Sequence, residues 1–256
     1  MNIAILYICT GKYSAFFQDF YISCENFFLR NHTKEYFVFT DQTNHMHYKN
    51  VNIIYQKDLG WPENTLFRFK MFNNITDRLI NFDYIYFFNA NTLFLEEITD
   101  SEFIPSINDS YLIGLSWQHI YQNKNKFPYE RSSKSKAYIP INEGTYYFQG
   151  GIFGGRKPEF LKMSNTLAQN IDNDYSNNII AINHDESHLN YYFKNIKIKV
   201  LNAHYGRPEE HNFPLNPKII FRDKNIVLGK MYINRIKKRN IIQRIKNKII
   251  FFGSKL

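Results

Sequence analysis

The alternation of apolar and polar positions divides the chain into short elements. Ile3 to Ile8 is continuously apolar and reads as a buried strand, closed by a Thr10-Gly11 turn. Phe16, Phe20, Cys24 and Phe27 recur at helical spacing, which predicts an amphipathic helix over residues 14–30. Tyr36 to Thr40 is a second strand, closed by polar Asp41-Gln42-Thr43-Asn44, and Val51 to Tyr55 is a third. After Trp61-Pro62, the positions of Leu66, Phe69, Met71 and Ile75 predict a helix over 64–79. Tyr84 to Phe88 is a strongly apolar strand that ends at Asn89-Ala90-Asn91. Strands alternating with helices predict an α/β sheet of mostly parallel character. Ligands of such sheets collect at the carboxyl ends of strands, where residues 8–13 and 89–91 lie.

The second half is less regular. Tyr111 to Leu115 reads as a strand and 118–137 as a long polar loop. Tyr146 to Phe153 reads as a strand interrupted by Gly150-Gly151 and ended by Gly154-Gly155. Pro158 to Gln169 predicts a helix, His184 to Phe193 another, and Ile196 to Leu201 a strand. In 233–252, Ile236, Ile241, Ile245, Ile249 and Phe252 fall near one face with Lys and Arg around them. No internal repeat is visible.

Composition and charge sharpen this division. The 256 residues are 44% hydrophobic and 18% aromatic, enough for a full core and unlike a disordered chain. The formal charge of +9 is confined to the end, because Asp223 is the last acidic residue and the preceding part is near neutral. Residues 1–223 therefore read as the folded domain, and 224–256 as a basic amphipathic segment suited to an anionic membrane surface. No nucleic-acid-binding module is visible. Cys9 and Cys24 fall on apolar positions and read as free core thiols. The apolar run from Ile3 to Cys9 is too short to span a membrane and lacks a secretion signal's flanks.

Four segments carry candidate chemistry. Asn89-Ala90-Asn91 ends a strand where Asp-x-Asp would hold a divalent cation, but amides bring no charge to trap one. By itself it also reads as a polar strand cap. The run Gln149-Gly150-Gly151-Ile152-Phe153-Gly154-Gly155 lets other groups approach the backbone, as a sugar pocket or as a bulged strand. His184-Asp185-Glu186-Ser187-His188 concentrates acids and imidazoles. Two His at i and i+4 suit a metal, yet a zinc protease has Glu, not Asp, directly after the first His. Arg68 and Arg131 are fork-shaped cations able to balance a diphosphate.

Taken together, these segments resemble glycosyltransferase family 6, above all its short bacterial members. The resemblance runs through Thr10-Gly11-Lys12-Tyr13, Tyr36 to Asp41, Trp61, Arg68-Phe69-Lys70, Asn89-Ala90-Asn91 and Tyr129-Glu130-Arg131. It continues with Ala137-Tyr138-Ile139-Pro140, Glu143-Gly144, Ile152 to Gly155 and His184 to Asn190, in order over residues 1–223. It implies a GT-A fold, with a Rossmann-like mixed sheet flanked by helices. It also implies transfer with retained configuration from a UDP-sugar to the 3-position of a β-galactoside, as in a fucosylated blood-group precursor.

By position, the resemblance assigns Ile8, Cys9, Thr10 and Tyr13 to the uridine-binding stretch. It assigns Arg68 to the donor phosphate and sugar, and Asn89 and Asn91 to the family's Asp-x-Asp. Gln149, Gly150 and Gly151 match the segment that selects donor and acceptor, and His119 joins the substrate-binding set. Asp185 matches a sugar-binding carboxylate, and Glu186 the carboxylate beside the anomeric carbon, as nucleophile or as oxocarbenium stabiliser. Small Gly151 implies room for an acetamido group, hence UDP-GalNAc before UDP-galactose, although Gln149 matches neither donor type. Neutral Asn89 and Asn91 imply that no metal cofactor is used. With no counterpart of the longer relatives' anchor and stem, a cytoplasmic protein, peripheral at the inner membrane surface, is expected. The competing expectations are a zinc enzyme built on His184 and His188 and a non-catalytic sugar binder.

Overall fold

The protein is described here by a computed structural model, which defines residues 1–42, 47–117 and 123–229. The elements follow in order: β1 (Asn2–Ile8), α1 (Phe17–Phe27), β2 (Thr33–Thr40), β3 (Val51–Tyr55), α2 (Glu63–Leu66), α3 (Arg68–Asn73), β4 (Tyr84–Phe88), β5 (Thr92–Phe94) and α4 (Asp100–Phe103). The chain continues through β6 (Leu112–Ser116), β7 (Phe148–Arg156), α5 (Lys157–Ser176), α6 (His184–Phe193), β8 (Lys199–Leu201), β9 (Arg207–Pro208), β10 (Ile219–Phe221) and α7 (Lys224–Leu228).

Seven strands form the main sheet in the order β3-β2-β1-β4-β7-β6-β8. Only β7 runs against its neighbours. A small sheet, β5-β10-β9, stands beside the end of β4. This is the expected mixed α/β sheet flanked by helices, a GT-A-like architecture. Strand alternation explains the layering. Ile3, Ile5 and Tyr7 of β1 face one core with Phe20 and Cys24 of α1. Ala4 and Leu6 face the other core with Phe69 and Phe72 of α3, Phe160 and Leu167 of α5, and Leu189 of α6. Cys9 and Cys24 are free and buried, and burial pushes both thiols up to about 12.

Several expected boundaries are corrected. The helix over 14–30 begins as a 3-10 turn, Gly11–Phe16, and ends at Phe27. The helix over 64–79 is broken at Phe67 and its α-helical part ends at Asn73, followed by a 3-10 turn. Helix α5 runs on to Ser176, because buried Ile171 and Asp174 continue its inward stripe through a polar stretch. Strand β7 passes through both glycine pairs to Arg156. Against β6, Gly114 pairs with Phe153 and Leu115 with Gln149, so Gly150–Ile152 bulge out of that ladder. Gly154 has no room for a Cβ, which would lie 2.8 Å from Tyr86 Cα.

The expected domain end at 223 falls on the N-cap of α7, where Asp223 Oδ1 accepts from Asn225 N at 2.7 Å. Leu228 of α7 is buried on the domain. The amphipathic segment 233–252 and His119 lie outside the described residues. Among the described residues no helix is long and apolar enough to cross a membrane.

Candidate active site

A cleft of about 1020 Å³ opens at the carboxyl ends of β1 and β4. The end of β1 supplies Ile8, Thr10, Lys12 and Tyr13, and the end of β4 supplies Asn89 and Ala90. The bulge of β7 contributes Gln149, Gly150 and Gly151, and the start of α6 contributes Asn183 to Glu186. Helix α3 contributes Arg68, and α7 with the residue after it contributes Lys224, Leu228 and Gly229.

Glu186 sits in the first turn of α6, where the helix dipole favours a carboxylate. Its Oε2 accepts from Gly150 N at 2.7 Å, and its Oε1 accepts a short bond from the Tyr147 hydroxyl. The bulge makes the first bond possible by turning Gly150 N away from β6. A Cβ on Gly150 would lie 3.3 Å from Asp185 Oδ2 and 3.5 Å from Glu186 Cβ. Loss of water around Glu186 pushes its pKa up to about 7, opposed by the bonds from Tyr147 and Gly150 and reinforced by Asp185.

Asp185 is 3% exposed. Burial pushes its carboxyl up to about 6, against the pull of the Arg68 guanidinium. Arg68 Nε lies 3.1 Å from Asp185 Oδ2, but its N–H is aimed at Thr65 O, 3.3 Å away. Asp185 Oδ2 thus has no hydrogen-bond donor among the described residues and stands as a buried acceptor at the cleft. Arg68 also donates to Gly150 O and lies over the Phe87 ring, 4.7 Å from its centroid. One guanidinium therefore ties α3, β7 and α6 together beneath the cleft. The break at Phe67 starts a separate helix at Arg68, which is 5% exposed.

Asn89 and Asn91 bond to each other, with Asn89 Nδ2 donating to Asn91 Oδ1 at 3.0 Å. Asn91 Nδ2 donates to Arg222 O at 2.8 Å, and Arg222 N donates to Asn91 O at 2.7 Å. The pair closes the loop between β4 and β5 onto β10. Two neutral amides, one occupied with the other and with a backbone carbonyl, do not fit a divalent cation, which needs charged oxygen ligands. His188 does not join a metal set either. It is buried 3.6 Å from Asp174 Oδ2, and burial holds its imidazole down at about 4. His184 instead lines the cleft with its ring edge on Trp61, 4.7 Å between centroids. Among the described residues no three His, Cys, Asp or Glu groups are placed to hold a metal.

The profile of glycosyltransferase family 6 matches residues 1–224. The chain belongs to this family. It is 38% identical over 228 residues to the O-antigen biosynthesis glycosyltransferase WbnI of Escherichia coli, covering 88% of this chain and 95% of that protein. It is 29% identical to the histo-blood group ABO system transferase 1 of Rattus norvegicus, across 80% of this chain and 60% of the relative. It is 28% identical to the human globoside alpha-1,3-N-acetylgalactosaminyltransferase 1, across 86% and 65%. The chain thus spans less than two thirds of the length of these two vertebrate relatives. As a family 6 member it is a retaining hexosyltransferase that takes a UDP-sugar donor and a glycan acceptor.

Within this family frame, most expected site residues meet in one cleft. Ile8, Thr10, Tyr13, Arg68, Asn89, Gln149, Gly150, Gly151, Asp185 and Glu186 all line it. Cys9 and Asn91 do not: Cys9 is fully buried behind the wall, and Asn91 braces Asn89 from behind. The space expected beside Gly151 is also filled. A Cβ there would lie 2.6 Å from Gln149 Oε1 and 2.9 Å from Phe221 Cζ, because the Gln149 amide folds back to accept from Gly151 N at 2.5 Å. Gln149 Nε2 has no hydrogen-bond partner among the described residues. Glu130 and Arg131 are structural. Glu130 accepts from Ser132 N and Ile182 N at 2.7 Å each, and Arg131 donates to Ile139 O and Pro140 O. The sequence reading missed Lys224 because it placed that residue in the tail, and missed Tyr147 and Asn183 because neither stands out by residue type.

Proposed function

We propose that this family 6 enzyme transfers GalNAc from UDP-GalNAc to the 3-position of a fucosylated β-galactoside, with retention and without a divalent cation. The observation that carries the reading is the cleft's pairing of two carboxylates with opposite tasks. Glu186 has both oxygens held by donors, whereas Asp185 Oδ2 has none. Glu186 suits the positive charge that develops at the anomeric carbon, whether it bonds to that carbon or only stabilises it. Asp185 suits a donor-sugar hydroxyl. As the sugar bond breaks, negative charge grows on UDP. With Asn89 and Asn91 neutral and the Arg68 guanidinium engaged by Gly150 O, Thr65 O and Asp185, that charge falls to Lys12 and Lys224 at the cleft.

For the donor, the unpartnered Gln149 Nε2 offers an N–H to an acetamido carbonyl, which favours GalNAc. A second reading, UDP-galactose, is favoured by the filled space beside Gly151. The test is transfer to a 2-fucosyl-β-galactoside from each donor in excess EDTA. Turnover from UDP-GalNAc that EDTA leaves intact supports the reading. Faster turnover from UDP-galactose reverses the donor, and loss in EDTA with rescue by Mn overturns metal independence. For the basic segment 224–256, we propose peripheral contact with an anionic membrane, on its charge alone. Co-sedimentation with anionic but not neutral vesicles tests it.

A further inference from the structure

We propose that Tyr147 is a positioning residue for transfer: its hydroxyl, itself held by Asn183, fixes the Glu186 carboxylate towards the reacting carbon. This inference rests on the role assigned to Glu186 above. Asn183 Nδ2 donates to the Tyr147 oxygen at 2.8 Å and to Pro128 O at 2.9 Å. A phenol has one proton, so a hydroxyl that accepts from Asn183 is left to donate to Glu186 Oε1. The ring is 1% exposed and packs in a small apolar cluster with Phe127, Tyr129 and Ile139, outside the two main cores. The Tyr129 and Phe127 ring centroids lie 5.6 Å and 6.1 Å from that of Tyr147. That cluster explains what the long loop before β7 does: it makes a rigid seat for one hydroxyl. With Gly150 N on Oε2, the two bonds fix the plane of the carboxylate and leave its remaining lone pairs for the substrate.

The hydroxyl also favours the ionised carboxylate. The charged groups that act on Glu186 are Asp185 beside it on α6 and Arg68 from α3, while His184, Asp58, Lys12 and Lys224 line the same cleft. Removing the hydroxyl leaves all of these in place. A hydrogen bond to a charged group is worth about a tenfold change in an ionisation equilibrium, or more. Tyr147→Phe is therefore expected to move the acid limb of the kcat profile up by about one pH unit. It should also lower kcat about tenfold below that limb, with the donor KM nearly unchanged. Asn183→Ala should move the limb the same way by less. Glu186→Gln, measured in parallel, tests the underlying role, and calorimetric UDP binding with thermal unfolding checks that each variant is folded. A Tyr147→Phe profile that superimposes on the native one while Glu186→Gln is inactive overturns the proposal and leaves the role of Glu186 standing. Normal turnover by Glu186→Gln overturns both. If Tyr147→Phe does not fold, Asn183→Ala decides: a shifted limb supports the proposal and an unshifted one overturns it.

Discussion

Replacing Asn91 by Asp changes one atom and tests whether the neutral pair is part of the scaffold. Asn91 is 5% exposed, and its Nδ2 donates to Arg222 O at 2.8 Å. In the variant a carboxylate oxygen faces that carbonyl oxygen, and no proton lies between them above the pKa of the new carboxyl. Asn89 Nδ2 still donates to the other oxygen, so one of the two side-chain bonds survives. A buried group left in this state costs about 1–3 kcal/mol, with more for a charge, so Asn91→Asp should lose about 2–4 kcal/mol at pH 8. Protonation restores the donor. The folded-state pKa of the introduced carboxyl is thus raised above the unfolded value of about 3.9. The folded state binds the extra proton, so the penalty is small below that pH and grows as pH rises through the folded value. Urea unfolding of native and variant protein at pH 5 and pH 8 measures this directly. A variant within about 0.5 kcal/mol of native at both values would refute the bracing role. Adding Asn89→Asp places two carboxylates about as close as the amides now are, a repulsion of about 5 kcal/mol at an effective dielectric of about 20. Mn should then raise the unfolding midpoint of the double variant and leave the native protein unmoved.

Other consequences follow from the same geometry. Transfer should rise with pH through about 7 as Glu186 ionises. The free protein's stability should fall over the window from 4.5 to about 7, because the folded state then holds a proton that the unfolded chain has released. A kcat profile flat from pH 5 to 8 would contradict this. Arg68→Lys supplies one point charge in place of a fork that reaches Gly150 O, Thr65 O and Asp185, so kcat should fall about a hundredfold with circular dichroism unchanged. A loss of less than threefold would show that the fork is dispensable. Lys224→Gln should weaken UDP binding about tenfold in calorimetry and leave the fold intact. An unchanged affinity would remove Lys224 from the diphosphate site.

The sheet was legible because its strands are buried on both faces and therefore continuously apolar. Ile3 to Ile8 and Tyr84 to Phe88 announced β1 and β4 almost residue for residue. The small sheet was not legible: Thr92–Phe94 and Ile219–Phe221 are too short to show a period. Helix α5 was read too short because its last inward polar residue, Asp174, works by hydrogen bonds to Ser135 Oγ and Lys136 N. Pattern counting sees only apolar positions. At the site, carboxylates next to one another at a helix start were conspicuous, and they do meet the Gly-rich strand. Asn183, Tyr147 and Lys224 were hidden because their roles come from which group the fold sets opposite them. The reading of Gly151 erred for a related reason. A missing Cβ signals room only if no neighbour takes it, and Gln149, two residues earlier on the same face of β7, does.

That neighbour effect also bears on how the cleft manages charge. A cation held by two aspartates would bring its own positive charge to the diphosphate and would tie the end of β4 to the donor. Here the amide pair performs only the second kind of task, and it does so within the protein, by lacing β4 to β10 through Arg222 O. The lacing holds the small sheet against the main one, and Arg222 itself reaches Asp19 of α1 by a short ion pair. Two residues beyond Arg222 the chain enters α7, so the same tie sets where Lys224 stands at the cleft. Burial lowers the pKa of that amine, with nearby Arg68 acting in the same sense and Glu210 opposing. An arriving diphosphate reverses that bias, because opposite charge favours the protonated amine. In this reading the Asn pair and the lysine form one device: the neutral amides fix the backbone that carries the charge, and the charge comes from a side chain that meets its partner only when UDP is bound.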